Sequence, residues 1–176
     1  MLKYKVRKCE ASSATARVLL SELLSEAYGE WGAVLERQIY KNQNGKPLLP
    51  CVYGVYISIS HTRGFAAAAI ADAPVGIDVE VVRPLTEKNI AVLDRYFAGE
   101  NTEAAKTDPS GVAFYTFWTR REAAFKAYAT RPFYTEDPVK GREESLTTHV
   151  QVFGENVIAL SVACGELNNA KKVPKC

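Results

Sequence analysis

"VGIDVE", residues 75–80, is the stretch on which the reading of this chain turns. Val75, Ile77 and Val79 give it the apolar alternation of a buried strand. Side chains two residues apart in a strand project from the same face. Asp78 and Glu80 therefore stand side by side, while Ile77 and Val79 point the other way. Two carboxylates at that spacing repel each other. They are either a solvated strand edge whose charges deter pairing, or a site where something bound relieves the repulsion. A hard cation would do so, because magnesium takes one or two carboxylates and leaves its other positions to water and phosphate oxygens.

The surroundings of this stretch predict small antiparallel sheets. "VYISIS" (55–60) and "FAAAAIA" (65–71) read as strands joined by the short glycine-containing connection "HTRG", and "PVGIDVE" (74–80) supplies a third strand closed by Arg83-Pro84. Upstream, 12–28 reads as an amphipathic helix with a serine at its start and Gly29 after its end. "KNQNGKPLLP" (41–50) is turn chemistry. Downstream, 86–97 reads as a helix and 98–111 as a polar, partly helical excursion. Residues 112–129 form the strongest helical pattern in the chain. After a loop through 130–146, the strands "THVQVF" and "VIALSVA" make a hairpin across Gly154, followed by a polar tail. Each half thus offers a long helix followed by paired strands. The chain reads as α+β, with lobes expected at 1–84 and 85–176.

The 176 residues suit one domain or two tightly joined lobes, and 47% hydrophobic with 24% charged residues is the balance of a globular chain. A net charge of +2 does not suggest nucleic-acid binding through bulk electrostatics, although a local basic patch suffices for a small anion. "MLKYKVRKCE" has no apolar core of a leader peptide, and the uncharged run "GFAAAAIA" is too short to span a bilayer. Cys9, Cys51, Cys164 and Cys176 lack C-x-x-C spacing, which argues against a zinc site or a disulfide framework. A cytoplasmic protein with reduced thiols, no membrane contact and no nucleic-acid partner is expected.

Three further groups carry chemistry. In "FWTRREAAFKAYA", Glu122 and Lys126 are four apart and share a helix face. Alone they would be a surface ion pair, but Trp118, Phe125 and Tyr128 imply burial, and Arg120 with Arg121 adds charge. A carboxylate beside cations on a buried helix suits phosphate and metal. In "ISISHTRG", Ser60 and His61 do not make a hydrolase, because neighbours in a strand face opposite ways and no G-x-S-x-G elbow exists. Lys46 in Gly45-Lys46-Pro47 is either an exposed turn lysine or a phosphate contact. It is no Walker loop, since that motif's spacing is missing.

Taken in order, "GKPLLP" (45–50), "SISHT" (58–62), "VGIDVE" (75–80) and "FWTRREAAFK" (117–126) resemble the Sfp-type 4′-phosphopantetheinyl transferases. The resemblance covers residues 12–128 in element order. It implies two similar lobes, each a helix plus a small antiparallel sheet, related by a pseudo-two-fold axis, with coenzyme A between them and a monomer as the working unit. It also implies Asp78, Glu80 and Glu122 as ligands of Mg2+, with Lys126 on the phosphates. Lys46, Ser60, His61 and Arg121 would bind the coenzyme A nucleotide and phosphates, and Arg17 would add charge there. Glu122 and Lys126 would be the catalytic pair. The family's usual lysine before the helix glutamate is Arg121 here, and Ser58 stands where the family often has asparagine. Arginine keeps the charge and changes the geometry.

The implied reaction moves phosphopantetheine from coenzyme A to a serine of an apo acyl or peptidyl carrier protein, releasing 3′,5′-ADP. Two other readings remain open at this stage. One is a binding module that keeps coenzyme A or a nucleotide and transfers nothing. The other is a magnesium-dependent phosphoryl hydrolase, which accounts for the carboxylates but not for the order of the motifs.

Overall fold

A computed structural model describes residues 1–42, 45–50, 53–97, 102–128 and 145–165. The order of elements is β1 (Leu2–Lys8), α1 (Ser12–Tyr28), α2 (Glu30–Arg37), β2 (Tyr40–Lys41), β3 (Pro47–Leu48), β4 (Tyr56–Thr62), β5 (Phe65–Ala71), β6 (Val75–Val81), α3 (Glu87–Tyr96), α4 (Glu103–Thr107), α5 (Val112–Tyr128), β7 (Leu146–Phe153) and β8 (Asn156–Cys164). The α+β class and both hairpins follow the sequence reading. The loop expected between α5 and β7 and the polar tail lie largely outside the described residues, as do Cys51 and Cys176.

Two antiparallel sheets of three strands form the centre, in the orders β1-β5-β4 and β6-β8-β7, beside a small β2-β3 ribbon. β6 takes its ladder from β8, with Asp78 opposite Ser161 and Glu80 opposite Ala159. The strand that follows the β4-β5 hairpin in sequence therefore belongs to the later sheet. β1 was not apparent from the charge of the first ten residues. Its Leu2, Tyr4 and Val6 alternate with Lys3, Lys5 and Arg7, but burial does not follow that alternation, since Leu2 and Tyr4 are exposed while Lys3 and Lys5 are half-buried.

Small side chains make the layers possible. β5 is buried along its whole length, and its alanines fill both of its faces. Ala66, Ala68 and Ile70 meet Ala16, Leu19, Leu20, Leu23 and Leu24 of α1. Phe65, Ala67, Ala69 and Ala71 meet Val75, Ile77 and Val79 of β6 and Ile158, Leu160 and Val162 of β8. The inner faces of the two sheets thus share one core, and α1 covers the outer face of the first. The serine expected to cap α1 does not do so. The N-cap is Ala11, with no side-chain cap bond.

α5 covers the outer face of the second sheet through Ala123 and Ala124, which pack with Leu146 and Ala163. Every residue of α5 is buried or part-buried, so its charges do not form a solvated stripe. The approach to β6 is closest at Gly76, where an added Cβ would lie 1.9 Å from the Ala123 carbonyl oxygen and 2.7 Å from the Ala127 nitrogen. Backbone cannot step aside as a flexible side chain can. Gly76→Ala should therefore cost about 3 kcal/mol, the upper end for overpacking, read as a lowered urea midpoint. It should also lift Glu122 and Lys126 away from β6. A midpoint equal to the parent's would contradict this packing.

Candidate active site

The site forms where β4 runs beside β6 under the C-terminal half of α5. β4 and β6 belong to different sheets and share no backbone ladder. Hydroxyls bridge them instead. The Ile77 amide donates to Ser58 Oγ at 3.1 Å, and the Val79 amide donates to Ser60 Oγ at 3.4 Å. Buried amides at a strand edge need partners, and alternate β4 residues supply them. Ser58, Ser60 and Thr62 face β6, whereas Ile57 and Ile59 pack with the α1 core. Ser58, the departure from the family's asparagine, is 2% exposed and has this bridging contact.

Lys126 is the hub. Its ammonium donates to Asp78 Oδ1 at 2.7 Å, to the Ile77 carbonyl at 3.1 Å and to Ser60 Oγ at 3.2 Å, which uses all three of its protons. Ser60 Oγ in turn donates to Asp78 Oδ1 at 2.7 Å. Thr62 Oγ1 donates to Glu80 Oε2 at 2.9 Å. Lys46, from the ribbon turn, donates its ammonium to the Lys126 carbonyl. That carbonyl belongs to the last turn of α5, where helix oxygens lack intrahelical partners and attract cations.

Electrostatics mark the same residues. Burial, reinforced by the negative charges of Asp78 and Glu80 against the opposing pull of Lys126, pushes the Glu122 carboxyl up to about 6. Burial and Asp78 also raise Glu80, although the Thr62 hydrogen bond opposes them. Burial and the nearby Lys126 charge bring Lys46 down to about 8. Strong shifts of opposite kinds gathered in one place are a mark of functional sites. Asp78 Oδ2 is buried and has no hydrogen-bond partner among the described residues. An unsatisfied charged oxygen is costly, so it calls for a ligand or an explanation. Among the described residues, no three acidic, histidine or cysteine side chains are gathered closely enough to enclose a metal ion as they stand.

Hydrogen bonds thus join Lys46, Ser60, Asp78 and Lys126, and Glu80 and Glu122 lie near enough to feel the charges of Asp78 and Lys126. It does not bring His61, Arg121 or Arg17 into this cluster. His61 is exposed on β4, and strand alternation turns it away from Ser60. Arg121 is buried with its guanidinium 4.8 Å from the centre of the Phe97 ring, a cation–π contact on another side of α5. Arg17 is exposed and lines a groove on α1 with Ser21, Glu22 and Glu36. Sequence reasoning gave no role to Thr62, though the alternation of Ser58, Ser60 and Thr62 was the available signal.

Comparison with known proteins points to one family. Residues 74–138, which hold both carboxylate motifs, match the model of the 4′-phosphopantetheinyl transferase superfamily. Over that segment the chain is similar to members of the superfamily. It is 27% identical over 113 residues to a 4′-phosphopantetheinyl transferase of Bacillus pumilus, covering 62% of this chain and 46% of that protein. It is 32% identical over 119 residues to the transferase AcpT of Salmonella typhimurium, covering 66% and 57%. It is 27% identical over 85 residues to Sfp of Bacillus subtilis, covering 47% and 37%. The chain spans about half the length of the curated relatives it matches. Among the described residues, no helix is long and apolar enough to cross a membrane.

Proposed function

We propose that this chain is an Sfp-type 4′-phosphopantetheinyl transferase. It moves phosphopantetheine from coenzyme A to a serine of an apo acyl or peptidyl carrier protein, acting as a monomer in the cytoplasm, with no nucleic-acid or membrane partner. One observation carries the reading: Asp78, Glu80, Glu122 and Lys126, drawn from two motifs, meet in one cluster inside the segment that matches the superfamily.

The two sheets support a pseudo-two-fold arrangement, because both are ordered first strand, last strand, middle strand, and each is covered by a helix of 17 residues. In this reading the expected division at residue 84 moves back, since β6 is built into the second sheet, and the lobes meet between β5 and β6. The cleft for coenzyme A would lie along that seam.

The chemistry of the donors suits a divalent cation, around which the three carboxylates would have to draw closer than they stand. Asp78 offers an unpartnered buried oxygen, and Glu80 and Glu122 are held above the ordinary carboxylate range by burial and by Asp78. Asp78, Glu80 and Glu122 would hold Mg2+, which when bound supplies charge neutralisation and orientation at the pyrophosphate. Lys126 would turn a donor from Ser60 or Asp78 to the phosphates from the same helix face, and Lys46 would add a cation for the nucleotide end. Ser60 keeps Asp78 oriented. His61 and Arg121 remain proposed nucleotide and phosphate contacts, for which their side chains must leave the positions described above. In the reaction the carrier serine oxygen bonds to the β-phosphorus. The bond from that phosphorus to the bridging oxygen breaks, and 3′,5′-ADP leaves. Glu122, directly or through a water, accepts the serine proton, the role for which its raised affinity for protons suits it. Positioning and charge stabilisation supply most of the rate.

Intact-mass spectrometry of apo carrier proteins incubated with the chain, coenzyme A and Mg2+ tests the proposal. A phosphopantetheine-sized gain lost with EDTA and with Asp78→Ala is the expected result. No gain on any acceptor, with coenzyme A still binding by calorimetry, would replace the transferase with the binding module. Release of 3′,5′-ADP without a carrier protein would point to the hydrolase.

A further inference from the structure

We propose that Thr62 is a positioning residue for the cation site, fixing the Glu80 carboxylate through its hydroxyl. This rests on the divalent-cation reading given above. Glu80 lies on a strand whose second edge has no ladder partner, because β4 approaches β6 from the other sheet. Nothing in a backbone ladder therefore sets the distance between them. That distance is held by Ser58 and Ser60, which accept from the β6 amides of Ile77 and Val79, while the Thr62 hydroxyl donates to Glu80 Oε2 at 2.9 Å.

The three contacts differ in what they hold. Ser58 and Ser60 take backbone, and Ser60 also takes Asp78. The Thr62 hydroxyl donates to the side chain of Glu80 and not to the β6 backbone, so it acts on the carboxylate's direction and not on the strand's. Threonine is suited to this. Its β-branch restricts χ1 in a strand, and its position as the last residue of β4, opposite Phe65 beside the turn, anchors the backbone behind it. With one oxygen engaged by Thr62, the other is the one presented for a ligand. Carboxylates that bind metals are commonly oriented by such outer hydrogen bonds, and losing one typically costs about 10- to 100-fold in affinity. Asp78 has its counterpart in Ser60, so alternate β4 hydroxyls address the two carboxylates of VGIDVE in order.

The test uses Mn2+ alone as a spectroscopic probe, with binding to the full chain read by electron paramagnetic resonance. Thr62→Val keeps shape and removes the donor, and Thr62→Ala removes it a second way should the valine fail to fold. Both are expected to weaken Mn2+ binding by about 10-fold or more, with the thermal midpoint of the cation-free protein unmoved. Thr62→Ser should recover most of the affinity. In the transfer assay the Mg2+ concentration for half-maximal rate should rise more than the saturated rate falls, which a merely structural residue would not produce. Parent-like Mn2+ affinity in Thr62→Val or Thr62→Ala overturns the positioning role and leaves the cation reading intact. A parent chain that binds no Mn2+ overturns both.

Discussion

Glu122→Gln should lower kcat for carrier-protein modification by about 10²- to 10⁴-fold, the range for loss of a positioned general base, while coenzyme A still binds. The amide keeps the size of the side chain and cannot take a proton. Glu122 is suited to the role because burial beside Asp78 and Glu80 brings its carboxyl to about 6, closer to neutral pH than an ordinary glutamate. Steady-state kinetics with a carrier protein, alongside calorimetry with coenzyme A, separate the two effects. Equal losses in turnover and in affinity would assign Glu122 to binding alone. The same shift fixes a stability trend in cation-free protein. The folded chain holds the Glu122 proton up to about pH 6, whereas the unfolded chain releases it lower. The contribution of this group is therefore fully present below the unfolded value and is lost as pH rises through about 6. In the proposed site Mg2+ would bind the ionised form, so its addition should raise Tm more at pH 7.5 than at pH 5. An equal effect at both, measured against EDTA controls, would remove Glu122 from the cation site.

Lys126→Met should destabilise the cation-free fold by about 3 kcal/mol, the lower end for breaking one side of a buried ion pair. Asp78 is only 4% exposed and already has one oxygen without a hydrogen-bond partner among the described residues. Without Lys126, its other oxygen would keep Ser60 alone. Asp78→Asn should cost less, because the lysine side chain is 23% exposed and can turn toward water. The asymmetry is the test, and urea unfolding of both variants without Mg2+ measures it. Equal costs would mean that the ammonium, and not the carboxylate, is the group trapped in the interior. Lys126→Met should also lose transfer activity through the phosphate contact proposed for it, so stability and turnover fall together there, unlike in Glu122→Gln.

Local periodicity made the core of the site legible. The alternation in VGIDVE placed Asp78 and Glu80 on one face, and the four-residue spacing placed Glu122 beside Lys126, because strands and helices repeat at fixed intervals. The same logic separated Ser60 from His61, although their adjacency made both look like ligands. Arg121 follows a different rule. Its charge suggested phosphate, yet one helical step carries it over the Phe97 ring, and no local pattern reveals where that ring lies. Strand β1 is not legible in the sequence, because its basic residues are at least as frequent as its apolar ones and two of the apolar ones, Leu2 and Tyr4, stay exposed.

The amino-acid sequence by itself determined the two long helices, the paired strands and the faces on which the charged groups stand, since each depends on neighbours within a turn or a strand. Tertiary structure alone decided that β6 pairs with β8 across some 80 residues, that Thr62 reaches Glu80, and that Lys46 meets the end of α5. These contacts join segments whose order along the chain carries no distance information. Burial did the rest: the cost of removing neighbouring carboxylates from water raises Glu122 and Glu80, and that cost exists only once α5 has closed over β6.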